Sequence, residues 1–139
     1  MKVPDINCRS AEGVLRDVDR EHIDMMVLYP SLGFCILRLD DPDFATRLAR
    51  FYNQWIGDYC APTNGWLRGG GVTSMERGQV AIDITNGVKE LGIAVTLIPP
   101  VLNASNLDHP YLGPFYAATV ERGMAISIHA RYPFAADWC

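Results

Sequence analysis

The stretch Met124-Ala125-Ile126-Ser127-Ile128-His129-Ala130 decides the fold. Its residues alternate in character, so it reads as a short β-strand with Ile126 and Ile128 on one side and Ala125, Ser127 and His129 on the other. In a parallel sheet covered by helices, the isoleucines pack against the helix layer. The small and polar side chains then face a barrel interior or a crevice. His129 stands at the C-terminal tip of the strand, where α/β proteins place their chemistry.

Upstream of this strand the chain alternates helix and strand. Ser10 is an N-cap for a helix over Ala11 to Glu21. The apolar run Met25–Tyr29, bounded by Pro30, reads as a buried strand. Asp41 and Pro42 open a second helix, with Phe44, Leu48, Phe51, Tyr52, Trp55, Ile56 and Tyr59 at three- and four-residue steps. Aromatic residues at that spacing are expected in the core. A further helix is expected over Glu76 to Leu91, with Gly92 after it, and a last one opens at Asp108 and Pro110 or Pro114 and closes at Gly123. That last helix uses Leu112, Phe115, Tyr116, Thr119 and Val120. The expected fold is therefore a single α/β domain over residues 1–139 with four parallel strands: Met25–Tyr29, Leu67–Val72, Ile93–Ile98 and Ala125–His129. Each crossover is long enough for a right-handed βαβ unit.

The 139 residues suffice for one domain with a real core, and 49% hydrophobic content is that of a globular chain. A net charge of -4 with scattered basic residues gives no footprint for nucleic acid and no polybasic membrane patch. No apolar run approaches the length of a spanning helix, and the N-terminus Met1-Lys2-Val3-Pro4-Asp5 lacks a signal-peptide core. A soluble cytoplasmic protein is expected. Cys8, Cys35, Cys60 and Cys139 form no CxxC pair, so they read as reduced, partly buried thiols rather than a zinc knuckle.

The run Gly69-Gly70-Gly71 matches neither phosphate-loop pattern, lacking the required lysine and spacing. It reads better as a strand on which neighbouring backbone and side chains crowd closely.

The ordered set of local words resembles a known family. Arg16-Asp17-Val18-Asp19-Arg20-Glu21-His22-Ile23-Asp24 leads into Val27-Leu28-Tyr29-Pro30-Ser31-Leu32-Gly33, and Tyr52-Asn53-Gln54-Trp55, Leu91-Gly92 and Gly123–Ala130 follow in order. Together they resemble the amidohydrolase-related proteins, the decarboxylase-like branch of the metal-dependent hydrolase superfamily, over roughly Ser10 to Ala130. The resemblance implies a (β/α)8 TIM-type barrel, of which this chain is the central portion. It also implies a divalent metal, usually zinc, at the C-terminal strand ends, with His129 as the matching ligand. The family's H-x-H pair and late aspartate have no counterpart here, and His22 and His109 match none of its positions. A closed barrel of this type takes about 250 residues. A catalytic zinc takes about three protein ligands. The expectation is thus a fragment of a barrel enzyme, inactive by itself.

Without the resemblance, His129 reads as a satisfied core or surface residue; with it, as a metal ligand. Tyr29, Ser31, Thr73 and Asn103 fall just past strand ends, where they line a substrate pocket or make ordinary loop hydrogen bonds. Arg131 offers a bidentate contact to a substrate carboxylate, or else is solvated. His22 is expected in solvent at a helix C-terminus, and His109 in a turn before Pro110. The resemblance implies non-oxidative decarboxylation of aromatic or unsaturated carboxylic acids, with C–N or C–O hydrolysis second, on a small-molecule substrate. The contrasting reading is a non-catalytic half-barrel module that self-associates as a homo-oligomer through its open sheet edges.

Overall fold

A computed structural model describes residues 10–73, 75, 87–100 and 106–129. Helix α1 spans Ala11–Arg20, and the Ser10 hydroxyl accepts from the Gly13 amide at 3.1 Å, as a cap should. Strand β1 spans Met26–Leu28, and helix α2 spans Pro42–Cys60, capped by Asp41, whose carboxylate accepts from the Asp43 and Phe44 amides. Strands β2 (Leu67–Val72), β3 (Val95–Ile98) and β4 (Ala125–Ile128) follow, with helix α3 (Gly113–Glu121) leading into β4. Residues 87–90 are helical, the end of the helix expected over Glu76 to Leu91; positions 76–86 lie outside the described residues.

The strands pair in the order β1-β2-β3-β4, all parallel. This is part of a (β/α)8 barrel, with sequential neighbours and helical crossovers, as the alternation of elements predicts. The sheet is curled. The Tyr29 hydroxyl, just past β1, and the Ser127 hydroxyl on β4 share a hydrogen bond of 3.1 Å. In a flat sheet, three steps of about 4.8 Å hold the outer strands roughly 14 Å apart, beyond the joint reach of a tyrosine and a serine.

Two departures from expectation share one cause. The face that α2 turns to the sheet is made of small residues: Ala45, Ala49, Asn53 and Gly57, with Ile56 and Cys60 beside them. Phe44, Phe51 and Trp55, expected in the core, are exposed. The glycines of β2 bear on the choice. A Cβ added at Gly69 would stand 2.8 Å from Ile56 Cγ1, and one at Gly71 would stand 2.9 Å from Val88 Cγ1. On α2 the Ile56 side chain takes the space a Cβ at Gly69 would need, and Val88 of the helix before β3 does the same at Gly71, while the bulky stripe of α2 lies on its outer side. The crowded-strand reading of the glycine run is the correct one.

Asn53 completes this contact. Its Nδ2 donates to the Val72 carbonyl at 2.9 Å, and its Oδ1 accepts from the Val72 amide at 2.8 Å. A residue's N–H and C=O point to the same side of a strand. Strand β1 pairs with β2 only as far as Gly69, so the Asn53 carboxamide takes the place of a strand partner beyond that point.

On β4, Ile126 packs toward the cluster of Ile98, Leu112 and Phe115, on the helix side as expected. Ile128, expected on the same side, is exposed on the outer strand, where no helix among the described residues covers it. Val120 of α3 is likewise exposed rather than packed. Cys60 is a buried free thiol, but Cys35 is disulfide-bonded, so the expectation of reduced thiols fails there. No helix among the described residues is long and apolar enough to cross a membrane.

Candidate active site at the C-terminal strand ends

The alternation of β4 puts Ser127 and His129 on the concave side, opposite Ile126. The His129 amide donates to the Ile98 carbonyl at 3.0 Å, which fixes the backbone just where the strand ends. Its ring stacks on Phe34, with centroids 4.2 Å apart and planes 28° apart. Tyr29 lies on the other strand end, its ring centroid 5.8 Å from that of His129. With the Tyr29–Ser127 hydrogen bond, these four side chains form one cluster across the mouth of the curled sheet.

Phe34 reaches this cluster from the short 3-10 helix Leu32–Arg38 that follows β1. The loop before it is tightly seated. A Cβ at Gly33 would stand 2.7 Å from Pro30 Cβ and 3.6 Å from the Tyr52 ring of α2. The Tyr52 hydroxyl is buried with no hydrogen-bond partner among the described residues. Burial, with a smaller contribution from Cys60, holds its phenol well above the usual tyrosine range. Burial likewise pushes the Cys60 thiol up.

Of the residues singled out in the sequence, Tyr29 and His129 meet at the mouth. Ser31 is exposed at the start of the 3-10 helix and makes no capping hydrogen bond. Thr73 is fully buried, and its hydroxyl shares a 2.6 Å hydrogen bond with that of Thr96. The period of two places it on the same side as Gly71, facing the helix layer. Asn103 and Arg131 lie outside the described residues. His22 is exposed after α1, and His109 caps the short turn at Pro110–Leu112 by accepting from the Tyr111 amide, both as expected.

Sequence reasoning missed Phe34, and it noted Ser127 only as facing inward. The signal for Phe34 was present: an aromatic residue follows a glycine in the loop at the C-terminal end of a parallel strand.

The fit to a metal ion is partial. His129 offers an imidazole at the right end of the sheet, but no group of three or more His, Cys, Asp or Glu among the described residues is placed to hold an ion. Catalytic sites commonly use about three protein ligands. The described residues do not make a metal site by themselves.

A sequentially ordered, curled parallel sheet with its polar cluster on the C-terminal rim defines part of a (β/α)8 barrel. The solved structures it resembles include decarboxylases and a putative amidohydrolase, in line with the amidohydrolase-related decarboxylase branch that the sequence words imply. 5-Carboxyvanillate decarboxylase from Sphingomonas paucimobilis is 25% identical, with a TM-score of 0.73 over 86% of this chain and 35% of its own. The enzyme of that name from Novosphingobium aromaticivorans, complexed with manganese and 4-hydroxy-3-methoxy-5-nitrobenzoic acid, is 26% identical, with a TM-score of 0.72 over 84% of this chain and 33% of its own. 2,6-Dihydroxybenzoate decarboxylase from Rhizobium shares the fold at 19% identity, with a TM-score of 0.74 over 99% of this chain and 42% of its own. The chain thus spans less than half the length of each. No protein-family model and no curated protein matches it.

Proposed function

We propose that this chain carries the central strands of a metal-dependent decarboxylase acting on aromatic carboxylic acids, with His129 as one ligand of a divalent cation. The observation that carries the reading is the position of His129. It ends β4 on the concave rim, held by the Ile98 carbonyl and flanked by Phe34 and Tyr29, in a fold shared with manganese-bound decarboxylases. The ion in those relatives favours manganese over the zinc that the sequence resemblance suggests.

Bound in such an enzyme, the cation supplies Lewis acidity toward a substrate oxygen. This chain's residues supply the walls. Phe34 and Tyr29 present ring faces suited to an aromatic acid, and the Tyr29–Ser127 hydroxyl pair offers hydrogen bonds to its oxygens. On their place in the sequence just past strand ends, Ser31, Asn103 and Arg131 are assigned to the substrate pocket in this proposal, with Arg131 suited to the carboxylate. Non-oxidative decarboxylation breaks the ring–carboxylate bond, releases CO2 and leaves a proton on the ring carbon. The described residues give one imidazole toward the ion, so the 139-residue chain by itself is inactive in this proposal.

The test is CO2 release from 5-carboxyvanillate and 2,6-dihydroxybenzoate with added Mn2+, alongside elemental analysis. The chain alone is expected to turn over neither. A full barrel enzyme containing it is expected to lose activity and bound metal on His129→Ala. Unchanged metal content in that variant would refute the role of His129. Chelator-sensitive turnover by the chain alone would refute its dependence on ligands elsewhere. A cytoplasmic setting goes with this proposal, and cell fractionation tests it.

A further inference from the structure

The turn that enters β2 holds more fixed structure than a connection needs. Asn64 sits in the left-handed region at φ 50°. The Thr63 hydroxyl donates to the Cys60 carbonyl at 2.6 Å and accepts from the Leu67 amide at 3.1 Å. The Trp66 backbone is tied on both sides: its amide donates to the Thr63 carbonyl at 3.1 Å, and its carbonyl accepts from the Met26 amide at 2.8 Å. On this rigid support the Trp66 ring is 45% exposed. Pro62, Thr63, Asn64 and Trp66 line one side of an open cavity of about 290 Å³, and Leu15 and Asp19, one turn apart on α1, line the other. The cavity lies where β1 and β2 begin, at the end of the sheet opposite His129.

We propose that this cavity binds a small alkylammonium ion, recognised by the Trp66 indole and the Asp19 carboxylate. Three observations agree on the charge and the kind of ligand. Asp19 has the wrong sign for its place, because the last turn of a helix carries partial negative charge and favours a cation. Among the described residues no basic side chain pairs with it. Arg16, three residues before it, turns toward the start of the helix, where its Nε donates to the Glu12 carbonyl at 3.4 Å. Arg20 is exposed one step on, about 100° round the helix. A cation in the cavity meets both the carboxylate and the helix end. The second observation is the indole, the aromatic group that best holds a cation over its face. The third is the apolar lining from Leu15, Pro62 and Trp66, which suits methyl or methylene groups around the charge. A bare metal ion finds no group of three or more His, Cys, Asp or Glu among the described residues. None of this depends on His129 or on decarboxylation.

Calorimetric titration of the full chain with choline and with tetramethylammonium chloride, at constant ionic strength, tests the site. The control ligand is 3,3-dimethylbutan-1-ol, which has the shape of choline without its charge. Saturable binding of both ions is expected, with the neutral alcohol at least about tenfold weaker. Asp19→Asn and Trp66→Ala should each weaken choline binding by roughly threefold to tenfold, and Trp66→Phe should keep part of it. Both positions are exposed and the ties to Trp66 are backbone ones, so circular dichroism should show an unchanged fold. No saturable binding of either ion with a dissociation constant below about 10 mM would overturn the proposal. Equal binding of the alcohol would overturn the role of charge and reduce the site to an apolar cleft. Choline binding that survives both Asp19→Asn and Trp66→Phe at full strength would place the ion elsewhere and equally refute the assignment.

Discussion

The Asn53 clamp is the most exposing place to test the account of how the strand ends are held. Replacing Asn53 by Ala removes the donor to the Val72 carbonyl and the acceptor for the Val72 amide, at 2.9 and 2.8 Å. Both residues are buried, so the two backbone groups are left without partners. An orphaned buried polar group costs about 1–3 kcal/mol. The two together should cost roughly 2–5 kcal/mol, against a total of about 5–15 kcal/mol for a domain. Asn53→Asp keeps the acceptor but sets a carboxylate against the Val72 carbonyl. Its folded pKa is raised by burial and by the missing donor, so the folded state holds its proton more tightly than the unfolded state. Stability of that variant should therefore fall as pH rises through the carboxylate range and recover on acidification. Equilibrium urea unfolding followed by tryptophan fluorescence measures both, and amide exchange at Val72 reports the local effect. If Asn53→Ala lies within about 0.5 kcal/mol of wild type, the range of an ordinary surface change, the clamp does not hold β2.

Three further outcomes follow from the same packing. Gly69→Ala and Gly71→Ala should each destabilise by about 1–3 kcal/mol in urea unfolding, because the new methyl meets Ile56 or Val88 below 3 Å. Tyr52, its phenol pushed up by burial, stays protonated in the fold at pH values where the unfolded chain ionises it. The contribution of Tyr52 to stability is thus complete below the ordinary tyrosine pKa and is lost as pH rises above it, and Tyr52→Phe should flatten the alkaline limb of the pH–stability curve. Cys60 is buried and its thiol is raised, so alkylation by iodoacetamide at neutral pH should be slow in the folded protein and fast in denaturant, as read by mass spectrometry.

The strands were legible because their signals are local. The apolar run at Met26–Leu28, the stop at Pro99 and the alternation through Ile126 and Ser127 each lie within a few residues, and the observed strands match the expected ones to within one or two positions. Parallel pairing followed from crossover length. What the sequence hid was a choice between two stripes on α2. Both have helical period, one large and one small, and hydrophobicity alone favours the large one. Gly69 of β2 bears on the matter by making room for Ile56, but it acts across space on a helix that precedes it. Asn53 was hidden for the same reason, since its partner Val72 lies nineteen residues away. At the site, strand-end logic pointed to Tyr29 and His129, whose rings meet at the mouth of the sheet, and to Thr73, which is buried with its hydroxyl bonded to that of Thr96. Phe34 escaped because no periodicity governs the loop that carries it.

The bond between Tyr29 and Ser127 joins elements that no backbone hydrogen bond connects. It acts as a drawstring. The opening is thus tied by a side chain at each rim as well as by the strand ladders, and Tyr29→Phe removes that tie while leaving the ladders in place.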